Sequence, residues 1–419
     1  MMKRILLAAV AVVVGVPLLM TAWFYIGGIE TGDTSLPDDA DLRWTPPEVA
    51  DEDNAFVAII ATTNLVNTSN FETNKRGWIG LPELQSDEPG AAEKVDRIIA
   101  DNEAFYAAFA KGLERNGFRN TLPPLSKEIL VSMLPLSEFL RMAKLWQLKI
   151  RREIERGEWD AAVADLEVLH RFGRVVSDNA ATVVDLMIGN SIEGMARGKI
   201  QYLVSCGGLS ASQLARIAEL VDADAKAEPE NVTRIVKAEY SLARAHLDLM
   251  SPEYVMSLVE LSFSTTGKIR QICKTICAED FGVSVSDDSS SDRMAKCLIR
   301  TIVCWPGHFR YTLHRKTTQK RLADIARKAL NGEIDDAANE DGSHGFFSRN
   351  GFGRATVRNF AYTCQLALAG KDRMGPMFAR ARTQLVIAAA RWRLAHDGEM
   401  PPTLGALVPQ YLPAVWIFN

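Results

Sequence analysis

Four cysteines are the densest group of reactive side chains in this chain. Cys273 and Cys277 lie one helical turn apart, and Cys297 and Cys304 follow a Ser/Asp-rich segment. If the flanking segments form an antiparallel hairpin, Cys277 would lie near Cys297 and Cys273 near Cys304, within reach of disulfide bonds. Two nested disulfides and buried free thiols both fit this pattern. A four-thiolate zinc site is disfavoured, because the second pair is spaced more widely than zinc-binding cysteine pairs usually are.

The other residues that could bind a metal or a cofactor form no recognisable pattern. The six histidines are scattered, and His308 and His314 have no carboxylate at ligand spacing. The acidic run over 287–292 lacks the glycine and the terminal glutamate of a calcium-binding loop. The sequence also contains no phosphate-binding loop, nucleophile elbow or dinucleotide fingerprint. We therefore predict no metal site and no cofactor, leave catalytic residues unassigned, and lean against an enzyme.

The N-terminus predicts a membrane anchor. Lys3 and Arg4 precede an apolar run over 5–26, which as a helix spans about 30 Å, the hydrocarbon thickness of a bilayer. Trp23 and Tyr25 near its end are typical of the membrane–water interface, and the basic pair favours a cytoplasmic N-terminus. A cleaved signal peptide is the alternative, but no small-x-small cleavage site follows the run. We predict a transmembrane signal-anchor over 1–28.

The composition indicates a folded domain behind this anchor. The chain has 419 residues, of which 47% are hydrophobic and 24% charged, and its net charge of −4 argues against a nucleic-acid partner. Residues 29–54 are acidic, contain Pro and Gly, and predict a solvated linker. Residues 55–419 predict a helical extracytoplasmic domain, with a possible sub-boundary near 229–232.

Apolar residues at helical spacing predict a series of long helices. We expect them over 91–113, 136–152, 183–204, 232–247 and 377–396. The second of these ends in a basic stretch over 149–152. Ser210 followed by Gln213 has the spacing of a capping box at the start of a further helix. Gly189, Gly194 and Gly198 recur along one helix at a spacing that favours close contact with a neighbouring helix.

The turn at Gly157 predicts a helical hairpin. Gly157 can end one helix in a left-handed conformation, and Trp159 and Leu166 belong to an apolar stripe on the next helix. The stretch over 155–166 resembles the turn and second helix of a tetratricopeptide repeat, in which such a step joins two antiparallel helices. The resemblance covers about one unit of roughly 34 residues, and no second copy is evident at that period. It implies a hairpin more strongly than a repeat array.

The C-terminal segment carries the most distinctive pattern in the chain. Gly398 is expected to end the preceding helix, and Pro402 favours extension. A short helix should then fold Leu404, Leu407 and Val408 back onto the core. The pattern Gly-x-x-Pro-x-x-Leu-x-x-Leu-Val-Pro-x-Tyr-Leu-Pro over 398–413 resembles the ending of an uncharacterised group of membrane-anchored bacterial proteins. It is also similar to a short element in type II secretion pseudopilins. The resemblance implies an extracytoplasmic helical fold without an assigned activity.

Together these patterns predict an all-α fold, with an N-terminal transmembrane helix followed by a multi-helix bundle of antiparallel hairpins. The bundle would be partly tetratricopeptide-like, with little or no β-structure. The predicted location is the bacterial inner membrane, crossed once, with the body on the periplasmic side. We predict a scaffold or interaction protein that contacts the lipid bilayer through its anchor and a protein or peptide partner through its helices. A cell-envelope hydrolase whose carboxylates converge only in the fold, and a secretion or pilus accessory component, are the alternatives.

Overall fold

A computed structural model of the chain is mainly helical over the residues that it describes, which confirms the predicted all-α class. It describes residues 36–69, 71–73, 79–80, 90–122, 134–223, 230–249, 313–333, 351–372 and 374–412. Eleven α-helices lie in these ranges: α1 (Ala55–Ala61), α2 (Ala91–Asp101), α3 (Glu103–Leu113), α4 (Leu136–Arg156), α5 (Trp159–Asp178), α6 (Val183–Ser205), α7 (Ala211–Ala223), α8 (Glu230–Leu249), α9 (Arg315–Leu330), α10 (Gly351–Asp372) and α11 (Met374–Ala395). The only sheet in the same ranges is a two-residue antiparallel pair, Glu72–Thr73 with Ile79–Gly80.

Several predicted features lie outside the described residues. They are the N-terminal anchor with Lys3, Arg4, Trp23 and Tyr25, and the clustered cysteines Cys273, Cys277, Cys297 and Cys304. Across the described ranges, no helix combines the length and the apolar character that crossing a bilayer requires. The two cysteines that are described, the exposed Cys206 and the buried Cys364, are free thiols. The anchor and the disulfides therefore stay predictions.

The chain divides into two compact units. The larger unit comprises residues 44–238 and 366–419, and the smaller unit comprises residues 1–43 and 239–365. The boundaries between them fall within α8 and α10 and near residue 43.

Aromatic side chains from α3, α4 and α5 form the centre of the larger unit. Phe109, Trp146 and Phe172 are each at most 2% exposed, and the rings of Phe109 and Phe172 meet edge to face with centroids 4.9 Å apart. Each of these helices buries one stripe of residues, as the apolar spacing predicts, and such ring pairs add to the free energy of burial. This packing fixes the rotation of α4 relative to α3 and α5.

The single helix predicted over 91–113 is wrong in one respect, because the chain breaks at Asn102 into α2 and α3. The buried Asn102 amide donates to the backbone oxygens of Ile98 at 2.9 Å and Asn67 at 3.3 Å. Its side-chain oxygen accepts from the Asn67 backbone N–H at 2.8 Å. Side-chain bonds of this kind compete with the regular helical ladder. The break leaves α2 with a face of its own that packs against α4.

Helices α5 and α6 approach closely at two glycines. A side-chain carbon added at Gly173 would lie 2.7 Å from the Glu193 backbone nitrogen, and one at Gly189 would lie 2.5 Å from the Ser177 backbone nitrogen. Only glycine fits this close approach of two helices. Because the helices are so close, the Ser177 hydroxyl donates to Glu193 Oε1 at 2.5 Å.

Other local signals have mixed outcomes. The capping box before α7 is confirmed: Gln213 N–H donates to Ser210 Oγ at 3.3 Å, and Gln213 Oε1 accepts from Ser210 N–H at 2.8 Å. The expectation of close contact at Gly194 and Gly198 is wrong for the described part of the chain, where no atom of a neighbour lies within 4 Å of a side chain added at either position. A row of glycines does not by itself reveal which helix face meets a neighbour.

The short C-terminal helix is a 3₁₀ turn over Leu404–Leu407. Leu407 is fully buried in a cluster with Ala388 and Leu412, which confirms part of the expected fold-back. Leu404 is 65% exposed, so the expectation that it also packs on the core is wrong. The tighter winding of a 3₁₀ turn changes which positions share a face.

In the smaller unit, a segment of the predicted linker packs against α8. Asp39 is 3% exposed and accepts hydrogen bonds from the Tyr240 hydroxyl at 2.8 Å and from Arg43 Nε at 3.3 Å. It also pairs with Arg244, and Leu42 beside it is fully buried. Residues 39–42 are thus anchored by buried polar and apolar contacts.

Candidate binding cleft

A cleft on the larger unit is lined by one face of α4. Lys149, Arg152, Glu153 and Arg156 recur at three- and four-residue steps, which place them on one side of the helix. Residues of α3 line the cleft on one side, and Asp165 of α5 lines it on the other. The cavity volume is about 420 Å³. Cavities of this size hold a small molecule or an inserted side chain.

Lys149 is held between two carboxyl groups. Its Nζ contacts Asp165 Oδ2, lies 3.4 Å from Glu153 Oε1, and lies 5.3 Å and 5.4 Å from the ring centroids of Tyr106 and Trp146. Burial by itself would lower the pKa of Lys149, but the hydrogen bond and charge of Asp165, helped by Glu153, raise that pKa on balance. Lys149 is therefore a fixed cation rather than a nucleophilic amine.

Glu153 is the member of this group with an unused hydrogen-bonding atom. It is 7% exposed, its Oε1 faces Lys149, and its Oε2 has no hydrogen-bond partner among the described residues. Burial raises the pKa of Glu153, and the hydrogen bond and the negative charge of the neighbouring Asp165 carboxyl raise it further, to about 8, against the opposing effect of Lys149. At neutral pH Glu153 is mainly a neutral carboxylic acid, which can donate a hydrogen bond or release a proton when a ligand arrives.

Trp146 brings a second unpaired polar atom to the same cleft. It is 2% exposed, and its Nε1 has no acceptor within the described part of the chain. Tyr106 meets the indole edge-on with centroids 5.0 Å apart, but its hydroxyl donates to the Leu145 backbone oxygen at 3.0 Å. An unpaired buried polar group costs about 1–3 kcal/mol. Two such groups around one cavity mark a place where a ligand can supply the missing partners.

Arg152 and Arg156 are held by Asp96 of α2. Arg152 Nε and Nη2 donate to the two Asp96 oxygens at 2.7 Å and 2.9 Å, and Arg156 Nη2 lies 2.8 Å from Asp96 Oδ1. The hydrogen bond from Arg152 holds the pKa of Asp96 below its usual value. These bonds tie α2 to α4 and pair both guanidinium groups with a carboxylate of the protein itself.

The predicted turn at Gly157 positions the cleft without lining it. Gly157 has a φ of +73° at the end of α4, and the next N–H, that of Glu158, donates to the Glu153 backbone oxygen at 2.9 Å. This tight turn starts α5 immediately after α4. As a result α5 runs back alongside α4, and Asp165 returns to the level of Lys149.

The other predicted turn residues lie away from this cleft. Trp159 covers Gly208, where an added side chain would clash with the indole at 2.1 Å. Gly398 has a φ of +89° and its N–H donates to the Arg393 oxygen at 2.8 Å, while Pro402 is exposed. A second cavity of about 330 Å³ adjoins Gly398. None of its described lining side chains carries a buried unpaired polar atom, so it gives no comparable indication of a ligand.

Sequence patterns did not single out Lys149, Glu153 and Asp165 as a group. They assign only a basic character to the end of α4, where Lys149 and Arg152 stand out. One usable signal is the four-residue step from Lys149 to Glu153 beside the apolar stripe of an amphipathic helix. Within the described ranges, no three His, Cys, Asp or Glu side chains gather into a metal-binding group.

The chain was compared with protein-family models, with curated proteins and with solved structures. No family model, curated protein or solved structure matches it. Its site is therefore interpreted from its own geometry.

Proposed function

We propose that the protein is a membrane-anchored, extracytoplasmic interaction protein of the bacterial cell envelope, and that a protein or peptide partner inserts a side chain into the α4 cleft. The observation that carries this proposal is the pair of unpaired buried atoms, Glu153 Oε2 and Trp146 Nε1, around a cavity of side-chain size. A partner that completes their hydrogen bonds gains free energy that a purely apolar segment does not, which makes recognition selective.

The rim of the cleft supports a macromolecular partner. Ala107 and Glu158 are exposed there, and the apolar side chains of Ile99 and Ala110 are only partly buried. A polar pocket next to small apolar surface suits a peptide that places one side chain in the pocket and rests its neighbours on the rim.

The proposed location is supported by the sequence. The apolar run over 5–26 has the length of a membrane-spanning helix, and Lys3 and Arg4 favour a cytoplasmic N-terminus. The C-terminal pattern over 398–413 resembles that of membrane-anchored bacterial proteins. A partner would accordingly be met outside the cytoplasm.

A photo-crosslinking amino acid placed at Ala107 tests the proposed function. Ala107 is exposed and lines the cleft, whereas Ala164 on α5 is equally a small exposed residue but does not line it. Irradiated cells should yield a discrete protein adduct from the Ala107 variant and none from the Ala164 variant. No adduct at Ala107, or equal adducts at both positions, would contradict a partner-binding cleft.

A second candidate function, a cell-envelope hydrolase, is favoured by the protonated state of Glu153. Its proton would pass to the oxygen of a leaving group while water attacks the other atom of the bond, as in other general-acid sites. We place this function second because of the position of Lys149. In hydrolases with two catalytic carboxyl groups, the scissile bond lies between those groups. Here the Lys149 ammonium group occupies the corresponding position between Glu153 and Asp165.

The two candidates differ in turnover. A hydrolase should release soluble fragments from isolated cell-wall polymer, and Glu153→Gln should slow that release by about 100-fold or more. An interaction protein should release none, and its Ala107 adduct should persist.

A further inference from the structure

We propose that the α4 cleft selects a primary ammonium group, such as the lysine side chain of a peptide, and that this ammonium takes the place of the Glu153 proton. The inference rests on the proposed function and deepens it, because it names the chemistry by which the partner is recognised.

Lys149 shows that the cleft stabilises an ammonium group. Its Nζ lies over the rings of Tyr106 and Trp146 and against the carboxyl groups of Glu153 and Asp165. Aromatic faces and carboxylates are the two kinds of partner that hold an ammonium away from bulk water. Lys149 faces only one oxygen of Glu153, so Oε2 stays available for a second N–H donor.

The charges around the cleft favour a cation over an anion. The ionisable residues that line it with Glu153 are Lys149, Arg152 and Arg156 from α4, Glu103 from α3, Asp165 from α5 and Glu158 just before α5. Asp96 of α2 pairs with both arginines. Among the described lining residues, Lys149 is then the one cation that is not bound to Asp96, and it faces three carboxylates and the neutral Glu153 acid. A second ammonium improves this balance, and an anion would worsen it.

The exchange is balanced in charge and in protons. A ligand ammonium approaches Glu153 Oε2, Glu153 releases its proton to bulk water, and the ligand keeps its three N–H donors. One positive charge enters the cleft as one leaves. Since burial and Asp165 hold the pKa of Glu153 near 8 in the free protein, binding at pH 7 should release close to one proton. The affinity should therefore rise about fiftyfold between pH 6 and pH 8 and level off above.

Three small amides of matched size test the proposal on the full chain in lipid nanodiscs. Nα-acetyl-lysine methylamide carries the ammonium, Nα-acetyl-norleucine methylamide is its neutral counterpart, and Nα-acetyl-glutamate methylamide carries a carboxylate. Binding is followed through the indole N–H resonance of Trp146, assigned with Trp146→Phe. We expect the lysine amide to bind at least tenfold more tightly than either of the others at pH 8, with an affinity about fivefold lower at pH 7.

Two buried glutamates provide the variants. Glu153→Gln should flatten the pH profile, whereas Glu193→Gln, at a buried glutamate that does not line the cleft, should leave it unchanged. The pH dependence of binding is first measured on the wild-type chain. The proposal can therefore be tested even if one of the variants does not fold.

A flat wild-type profile, equal binding of the norleucine amide, or preference for the glutamate amide would overturn the proposal. If the lysine amide fails to bind but the Ala107 adduct persists, the cleft binds a partner of other chemistry and only this inference falls. If the Ala107 adduct is also missing, the proposed function falls with it.

Discussion

Glu193 and Glu153 are two buried glutamates of the larger unit, each with a basic residue four positions away, but their carboxyl groups are bonded differently. Glu193 is 6% exposed, and its oxygens accept from Ser177 Oγ at 2.5 Å and from Arg197 Nη1 at 3.0 Å. Glu153 is 7% exposed, its Oε1 lies 3.4 Å from Lys149 Nζ, and its carboxyl group also hydrogen-bonds to that of Asp165, while Oε2 accepts from no donor of the described residues. One lies in the contact between α5 and α6, and the other lines a cleft.

Burial and a basic neighbour are common to both glutamates, so neither feature distinguishes a structural ion pair from a site. The difference lies in the second oxygen. In Glu193 it completes a bonded network that holds two helices together. In Glu153 it is unused, and the protein keeps the group protonated, which is the condition in which a ligand can change its state.

The largest predicted effect is on stability. Glu193→Gln removes the carboxylate that lies 3.0 Å from the buried Arg197 Nη1 and should lower the free energy of unfolding by about 3 kcal/mol at pH 7. Glu153→Gln removes the cost of protonating this acid on folding at pH 7, so it should not destabilise the chain and should raise the free energy of unfolding by up to about 3 kcal/mol. Urea unfolding of the full chain compares the two variants, and equal losses would remove the distinction between the glutamates.

The pH dependence of stability should also separate them. The pKa of Glu153 is raised from 4.5 to about 8 on folding, so its contribution is fully present below the lower value and is lost as pH rises through the upper one. The free energy of unfolding should fall by at most about 1.4 kcal/mol per pH unit between pH 5 and 8. Unfolding curves at several pH values should show this slope in wild type and Glu193→Gln. If the Glu153→Gln variant kept the same slope of unfolding free energy with pH, the slope would come from another titrating group.

The α5–α6 contact gives a smaller effect. Gly173→Ala places a methyl group 2.7 Å from the Glu193 backbone nitrogen and should cost about 2 kcal/mol. Gly194→Ala on α6 meets no neighbour within 4 Å and should stabilise the helix by up to about 1 kcal/mol. Thermal unfolding of both variants checks the opposite signs. A neutral Gly173→Ala would show that the contact around Glu193 can widen at little cost.

The smallest effect concerns the other side of the cleft. Asp96→Asn removes the carboxylate that pairs with Arg152 and Arg156, but the Asp96 side chain is 31% exposed, so the loss should be about 1 kcal/mol. The variant also takes one negative charge away from the two guanidinium groups on the cleft wall, of which Arg152 keeps its contact with Glu155 at 3.4 Å. Binding of the lysine amide should therefore weaken severalfold by titration, while stronger binding would show that the arginines do not oppose a cationic ligand.

The positions of the long helices could be predicted from the sequence, because the spacing of apolar residues and the residues that form turns determine local structure. The long helices and the Ser210 cap follow from spacing alone. The break at Asn102 could not be predicted, since it depends on hydrogen bonds to the backbone of Asn67, which is distant in sequence. The same holds for Gly194, whose open surroundings depend on where α5 crosses α6.

The cleft residues could not be predicted from the sequence for a related reason. Lys149 and Glu153 are recognisable as neighbours on a helix, but the role of Glu153 depends on how deeply α4 is buried and on Asp165 returning beside it. Burial, unpaired oxygens and the resulting pKa are properties of the packed helices, which no single segment encodes.

Carbon-13 NMR of the glutamate carboxyl groups, with Glu153 assigned by loss of its signal in Glu153→Gln, tests the central claim most directly. In the full chain, the Glu153 carboxyl should titrate with a midpoint near pH 8, and saturating lysine amide should move that midpoint down by at least one pH unit. A midpoint at the ordinary value of about 4.5 for a glutamate carboxyl, unaffected by the lysine amide, would contradict the account.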